Sequence, residues 1–217
     1  MQKIPNNNKY LLASLLVLLF SASVRSYTHN FYIGVFNQFI LAFIFFVSTH
    51  YLQSNKIWKY ASYFLGFATA ALFIVAKFFQ DSLTFDLLHI IIFLIFFITT
   101  FVVEAKNVLF QEKVDTNIII GSVALFILLT LIWTFIYLLL TLTIPESFEG
   151  LQSLPWQENF ANMYYFSFVT ITTLGYGDIT PNNPISEFFV VIETIVGIFY
   201  IPLVVSSLVN SKLNRLK

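Results

Sequence analysis

The 217-residue sequence contains no cysteine, and only 10% of its residues are charged. The first absence excludes disulfides, thiolate metal sites and cysteine nucleophiles together. The second excludes an ordinary soluble domain, in which about 25% of residues carry charge. Lys plus Arg and Asp plus Glu number 11 each, so the formal net charge is zero. No basic stripe exists to neutralise phosphates, which excludes a nucleic-acid partner. No catalytic constellation is present either, and the three histidines, His29, His50 and His89, lie on different segments without metal-ligand spacing. We therefore expect neither an enzyme nor a cofactor.

What the chain has in quantity is apolar surface: 58% hydrophobic residues, 27 of them phenylalanine, and a mean hydropathy of +0.82. Runs long enough to cross hydrocarbon occur at 9–26, 31–51, 57–79, 83–103, 117–142 and 187–209. Asn55-Lys56, Gln80-Asp81-Ser82, the stretch 104–115 and a longer insertion at 143–186 separate them. Backbone polar groups must be satisfied internally in lipid, and a barrel would need short alternating strands, so the spans are expected to be helices. With the N-terminus cytoplasmic, Lys3, Lys9, Lys56, Lys59, Lys106, Lys113, Lys212, Arg215 and Lys217 lie inside, against Arg25 and Lys77 outside. Both termini are then cytoplasmic, and the plasma membrane is the expected location. Asp81, Asp86, Glu146, Glu149, Glu158, Asp178 and Glu187 fall outside, an asymmetry that topology does not require. The first segment also has the basic start, short apolar core and small residues of a secretory signal peptide. We expect it to be retained as a span.

The insertion holds a stretch at 159–170 that is apolar on most faces and too short to cross. It suits a re-entrant half-helix entering from the outside, whose negative dipole end at the membrane centre favours a cation. The chain must then return as non-helical backbone, which is tolerated at that depth only when buried in protein or lining a water-filled path.

The returning residues are Thr172-Thr173-Leu174-Gly175-Tyr176-Gly177-Asp178, which resemble the selectivity-filter signature of potassium channels. The resemblance implies that the carbonyls of Thr173, Leu174, Gly175 and Tyr176, with the Thr173 hydroxyl, replace the hydration shell of potassium ions. Thr172, Gly177, Asp178 and Tyr165 would support this filter. Carbonyls aimed at one axis from consecutive residues need alternating backbone conformations, which Gly175 and Gly177 supply without strain. Leu174 stands where valine is commoner, a conservative change where only the carbonyl faces the ion. Tyr176 and the aromatic residues Tyr164, Tyr165, Phe166 and Phe168 are expected to pack behind the strand. Val169 lies where some relatives carry a glutamate that pairs with the aspartate, and we expect Asp178 to bond Tyr165 instead. Gly197, 19 residues after Asp178, resembles the gating-hinge glycine of such channels, and Pro202 offers a second bend.

The resemblance covers 117–211. It implies an all-α membrane protein of six transmembrane helices with a re-entrant pore helix and an extended filter, assembled as a homotetramer because one chain supplies one filter strand. Residues 1–105 would form a four-helix membrane domain, 106–116 a cytoplasmic linker and 117–217 the pore domain. The fourth span has no Lys or Arg, so conventional voltage sensing is not expected. Only about eight residues of this sequence follow the sixth span, which leaves lipid, pH, ion occupancy or another chain as expected modulators. Glu193, an ionisable group inside a span, reads as a bond to the half-helix or filter backing, with ion contact or pH sensing as the alternative. Asp86 and His89 read either as an outward pH sensor or as an interfacial pair. Glu146, Glu149 and Glu158 either concentrate cations at the mouth or belong to a solvated loop. The expected partners are further copies of the chain, membrane lipids and potassium ions. Two other functions fit the same residues: a subunit of a pore-loop potassium transporter, and a regulatory subunit of a hetero-oligomeric channel.

Overall fold

The computed structural model describes residues 8–28, 83–109, 116–152 and 154–213, together with Ile40, Ile44, Tyr60, Phe64 and Phe67, which are helical. The described elements are α1 (Asn8–Thr28), α2 (Leu83–Leu109), α3 (Thr116–Thr143), β1 (Phe148–Glu149), α4 (Trp156–Ile171), β2 (Thr180–Pro181) and α5 (Pro184–Leu213). Among the described residues four helices, α1, α2, α3 and α5, are long and apolar enough to cross a membrane. The second and third expected spans lie outside the described residues. The chain is a mostly helical membrane protein.

α3 is the helix around which the others pack. Of its apolar stretch 72% is buried, against 18% for α5, and α1, α2, α4 and α5 all contact it. Its contact with α2 is an aromatic stack: Phe135 lies 5.4 Å from both Phe93 and Phe97. α1 reaches α4 as well, where Tyr164 donates a hydrogen bond to the Leu19 carbonyl (3.2 Å) and its hydroxyl also meets Ser23. Much of α5 has no neighbour within one chain, and Ile185, Phe188, Val191, Ile195, Ile198, Phe199 and Leu203 stand exposed.

Two boundaries differ from expectation. The fourth span was expected to end at Val103, but the helix α2 continues to Leu109. Glu104, Ala105, Lys106 and Leu109 are good helix formers, and Glu104 is fully buried beside Gly121 of α3. The all-helical expectation also misses a two-residue ribbon in which Phe148 pairs with Pro181 and Glu149 with Thr180. α5 begins three residues earlier than expected because Asn183 caps it. The Asn183 Oδ1 accepts from the backbone N–H groups of Ile185 (3.0 Å) and Ser186 (2.9 Å), and Pro184 takes the first helical position, where its missing donor has no consequence.

Candidate functional site

α4 is the short helix expected in the insertion, extended by three residues at its start and one at its end. Its last carbonyls are satisfied by the residues that follow. The Thr172 N–H donates to Phe168 O (3.2 Å), Thr173 to Thr170 O (2.9 Å), and Leu174 and Gly175 to Val169 O (2.9 and 3.4 Å). The Thr172 hydroxyl adds a bond of 2.5 Å to Phe168 O. The segment 172–178 thus starts from a fixed point at the helix end.

Its backbone alternates in hand. Thr173, Gly175 and Gly177 have φ of 60°, 58° and 78°, while Leu174 and Tyr176 between them do not enter positive φ. An ordinary strand points successive carbonyls to opposite sides, whereas this alternation turns them to one side. The sequence reading assigned the left-handed positions to the two glycines and missed Thr173, although it falls on the same two-residue period. A threonine there costs roughly 1–2 kcal/mol. All seven residues are exposed in the single chain, Leu174 at 60% and Tyr176 at 68%.

Of the four aromatic residues expected behind the strand, one is there. The Tyr165 ring stacks on Tyr176 with centroids 6.5 Å apart and planes 11° from parallel. Tyr164 faces α1, Phe166 packs on Tyr137 and Phe148, and Phe168 meets Phe126. Successive residues of a helix point about 100° apart, so four neighbours cannot share one face. The other three anchor α4 to its scaffold.

The neighbouring Asp178 carboxylate, followed by partial desolvation, raises the Tyr165 hydroxyl above the usual tyrosine range. A group whose pKa is raised by folding contributes stability below its unfolded value, about 10, and loses it as pH rises through the folded value. For the conduction that the filter resemblance implies, the expected response is flat through neutral pH and falls only under alkaline conditions above pH of about 10. Tyr165→Phe should remove the alkaline step and hasten inactivation. Currents from the variant with the same inactivation and conductance as wild type would show that the pair has no functional role.

The far end of the segment is held differently. Gly150 (φ 85°) lies directly against the Asp178 backbone, with room for no side chain: a Cβ would sit 3.1 Å from the Asp178 carbonyl carbon and 3.2 Å from Ile179 Cα. β1 and β2 then pair immediately beyond. Gly150 was not singled out from sequence. An isolated glycine in a polar loop is a weak signal, and its partner lies 28 residues away.

Gly197 is buried in α5 against the last residue of α4. A Cβ there would overlap the Ile171 carbonyl oxygen and lie 2.8 Å from Ile171 Cγ1. α5 runs as one helix through Gly197 and Pro202, and Pro202 is exposed. Glu193, one turn before Gly197, is fully buried. Its Oε1 accepts from the Ser167 hydroxyl of α4 (2.5 Å) and its Oε2 from the Tyr137 hydroxyl of α3.

Asp86 and His89 both face Trp156, the first residue of α4. The indole N–H of Trp156 donates to Asp86 Oδ1 (2.8 Å), and the His89 ring lies 6.2 Å from the indole and 6.2 Å from Phe93. The pair expected at the interface thus ties α2 to the base of the short helix. Glu146 and Glu149 line a cavity of about 620 Å³ beside the loop that joins α3 to α4, with Ser147, Asn159 and Asn182.

This geometry coincides with what the sequence shares with known proteins. Residues 124–211, which include most of α3, all of α4, the alternating segment and most of α5, match the protein family described as "Ion channel". That family is one of channels, not enzymes. Two-pore potassium channel 3 of Arabidopsis thaliana is 41% identical over 46 residues, 21% of this chain and 11% of that protein. The chain therefore spans only a small part of that relative's length. No solved structure matches.

Proposed function

We propose that the chain is one subunit of a homotetrameric, potassium-selective channel of the plasma membrane with both termini cytoplasmic. The observation that carries this reading is the alternation of backbone hand at Thr173, Gly175 and Gly177, in a segment that begins at the C-terminal end of a short helix between two membrane helices. Such backbone presents the carbonyls of Thr173, Leu174, Gly175 and Tyr176 on one side. Four copies around an axis make the stacked rings of oxygen that substitute for the hydration shell of a potassium ion. The exposure of 172–178 and of one α5 face supports oligomerisation, because a closed ring would cover both. The likeness to a potassium channel of a plant favours potassium over other cations.

Conduction is passive. The α4 dipole places partial negative charge at its C-terminus, toward the entering cation, and Thr173 contributes its hydroxyl below the carbonyl rings. In α2 the only basic residue of the helix is Lys106, in the last turn, so steep gating by charge movement has no charges to move. The six-span subunit, with a four-helix domain at 1–105 and a pore domain at 117–217, belongs to the same proposal.

Purified protein in planar bilayers under opposed potassium and sodium gradients tests it. The expected result is unitary steps reversing near the potassium potential, from a particle of four times 25.0 kDa after the detergent is accounted for. Reversal at the sodium potential, absence of steps, or a particle well below that mass overturns it.

A further inference from the structure

We infer that Glu193 is a positioning residue that sets the filter from behind, by referring both of its ends to one carboxylate. The inference rests on the proposed channel function and concerns residues outside the conducting segment.

A carboxylate inside a membrane helix is costly unless its lone pairs are met, and here each oxygen has its own hydroxyl donor. Oε1 takes Ser167 (2.5 Å) and Oε2 takes Tyr137. The Ser167 hydroxyl also lies 3.0 Å from Thr130 O, but that carbonyl already accepts from the Thr134 hydroxyl at 2.7 Å. A serine hydroxyl has one hydrogen, and the Glu193 oxygen is the nearer acceptor, at 2.5 Å against 3.0 Å. Glu193 therefore joins α3, α4 and α5 at a single point.

From that point two short paths reach the filter. The first runs along α4. Glu193 and Gly197 are four residues apart on α5, as are Ser167 and Ile171 on α4, so the two helices meet at two matched rungs one turn apart. The upper rung is the hydrogen bond and the lower is the close approach of Gly197 to the Ile171 carbonyl. Ile171 is the last residue of α4 and lies two before Thr173, where the carbonyl series begins. The second path runs through Tyr137. Its ring packs edge-on against Phe148 (5.3 Å) and Phe166 (5.2 Å). Phe148 pairs with Pro181, three residues past Asp178. The entry and exit of the filter strand are thus both tied to Glu193, one by helix contact and one by the ribbon. With the carboxylate removed, the two ends are free to shift relative to each other, and the carbonyl rings lose the fixed radius on which discrimination depends.

The test is the potassium-to-sodium permeability ratio of assembled channels in bilayers. Glu193→Ala removes both bonds. Tyr137→Phe removes one hydroxyl and leaves the ring in place against Phe148 and Phe166, which keeps the test available should the alanine variant fail to fold. Losing a buried hydrogen bond is expected to lower the ratio about tenfold in each case, with the Glu193→Ala/Tyr137→Phe double variant no worse than Glu193→Ala alone, since both act through one bond. Glu193→Gln, which keeps one acceptor oxygen, should fall between wild type and alanine. A purely structural residue would reduce the yield or thermal midpoint of the tetramer and leave the ratio of surviving channels unchanged; that result overturns the inference while wild-type selectivity leaves the channel function standing. A wild type that does not select potassium overturns the function, and this inference with it.

Discussion

Gly197→Ala is expected to deplete the assembled protein about tenfold or more, with little effect on the opening of any channel that does form. The added Cβ would meet the carbonyl oxygen of Ile171 and lie 3.1 Å from its carbon. This is backbone at the end of a packed helix, which cannot rotate away as a side chain can. Overpacking of this kind costs about 1–3 kcal/mol in each subunit, and a symmetric ring contains the contact four times. Truncating the Ile171 side chain should give no relief, because the obstruction is mainly its backbone. Native mass spectrometry or gel filtration of wild type, Gly197→Ala and Gly197→Ala/Ile171→Ala reads the result directly. If Gly197 acts as a bending point instead, the variant will assemble normally and open less often, and the packing account is then wrong.

Gly150→Ala should do comparable damage from outside the filter. Gly150 has φ of 85°, a conformation that costs an L-residue roughly 1–2 kcal/mol before any contact is counted. A Cβ would also run into the Asp178 carbonyl oxygen. Either the loop or the filter exit must move, and the loop is restrained by the β1–β2 pair and by the Asn182 N–H bond to Ser147 O (2.9 Å). The expected outcome is a stable, tetrameric protein with potassium selectivity reduced about tenfold or more, corresponding to at least 1.4 kcal/mol of discrimination. Serial bilayer recordings under mixed potassium and sodium measure it. Selectivity equal to wild type would mean that the loop yields and that Gly150 does not brace the exit.

The described helices were legible in sequence because long apolar helices and the short helix of the insertion announce themselves by length and apolarity, which are local. The boundary at Val103 was misjudged for the complementary reason. Glu104 and Lys106 look like the start of a water-exposed linker, yet Glu104 is enclosed by a neighbouring helix that only the fold brings near. The segment proposed as a filter was readable from the run Thr172-Thr173-Leu174-Gly175-Tyr176-Gly177-Asp178, but its support was not. Which of four adjacent aromatic residues backs Tyr176 depends on the rotation of α4 about its axis, and that is fixed by Tyr164 meeting α1 and by Phe166 meeting Tyr137 and Phe148. Glu193 was recognisable as a buried carboxylate in need of partners, whereas the identity of those partners, 26 and 56 residues away, was not. Gly150 left no trace, because its role is defined by a backbone atom of a distant residue.

The exposure of 172–178 in a single chain has a consequence for the cell that makes it. Three consecutive alternate positions are left-handed, one of them a threonine, and in one subunit the side-chain tether to this segment from α4 is Tyr165. On the proposed tetrameric reading, a subunit inserted in the bilayer alone supplies one of the four rails of carbonyls. Newly made subunits then accumulate in the membrane without short-circuiting its potential, and leakage is avoided by stoichiometry: in that proposal the path for ions exists only once the ring closes.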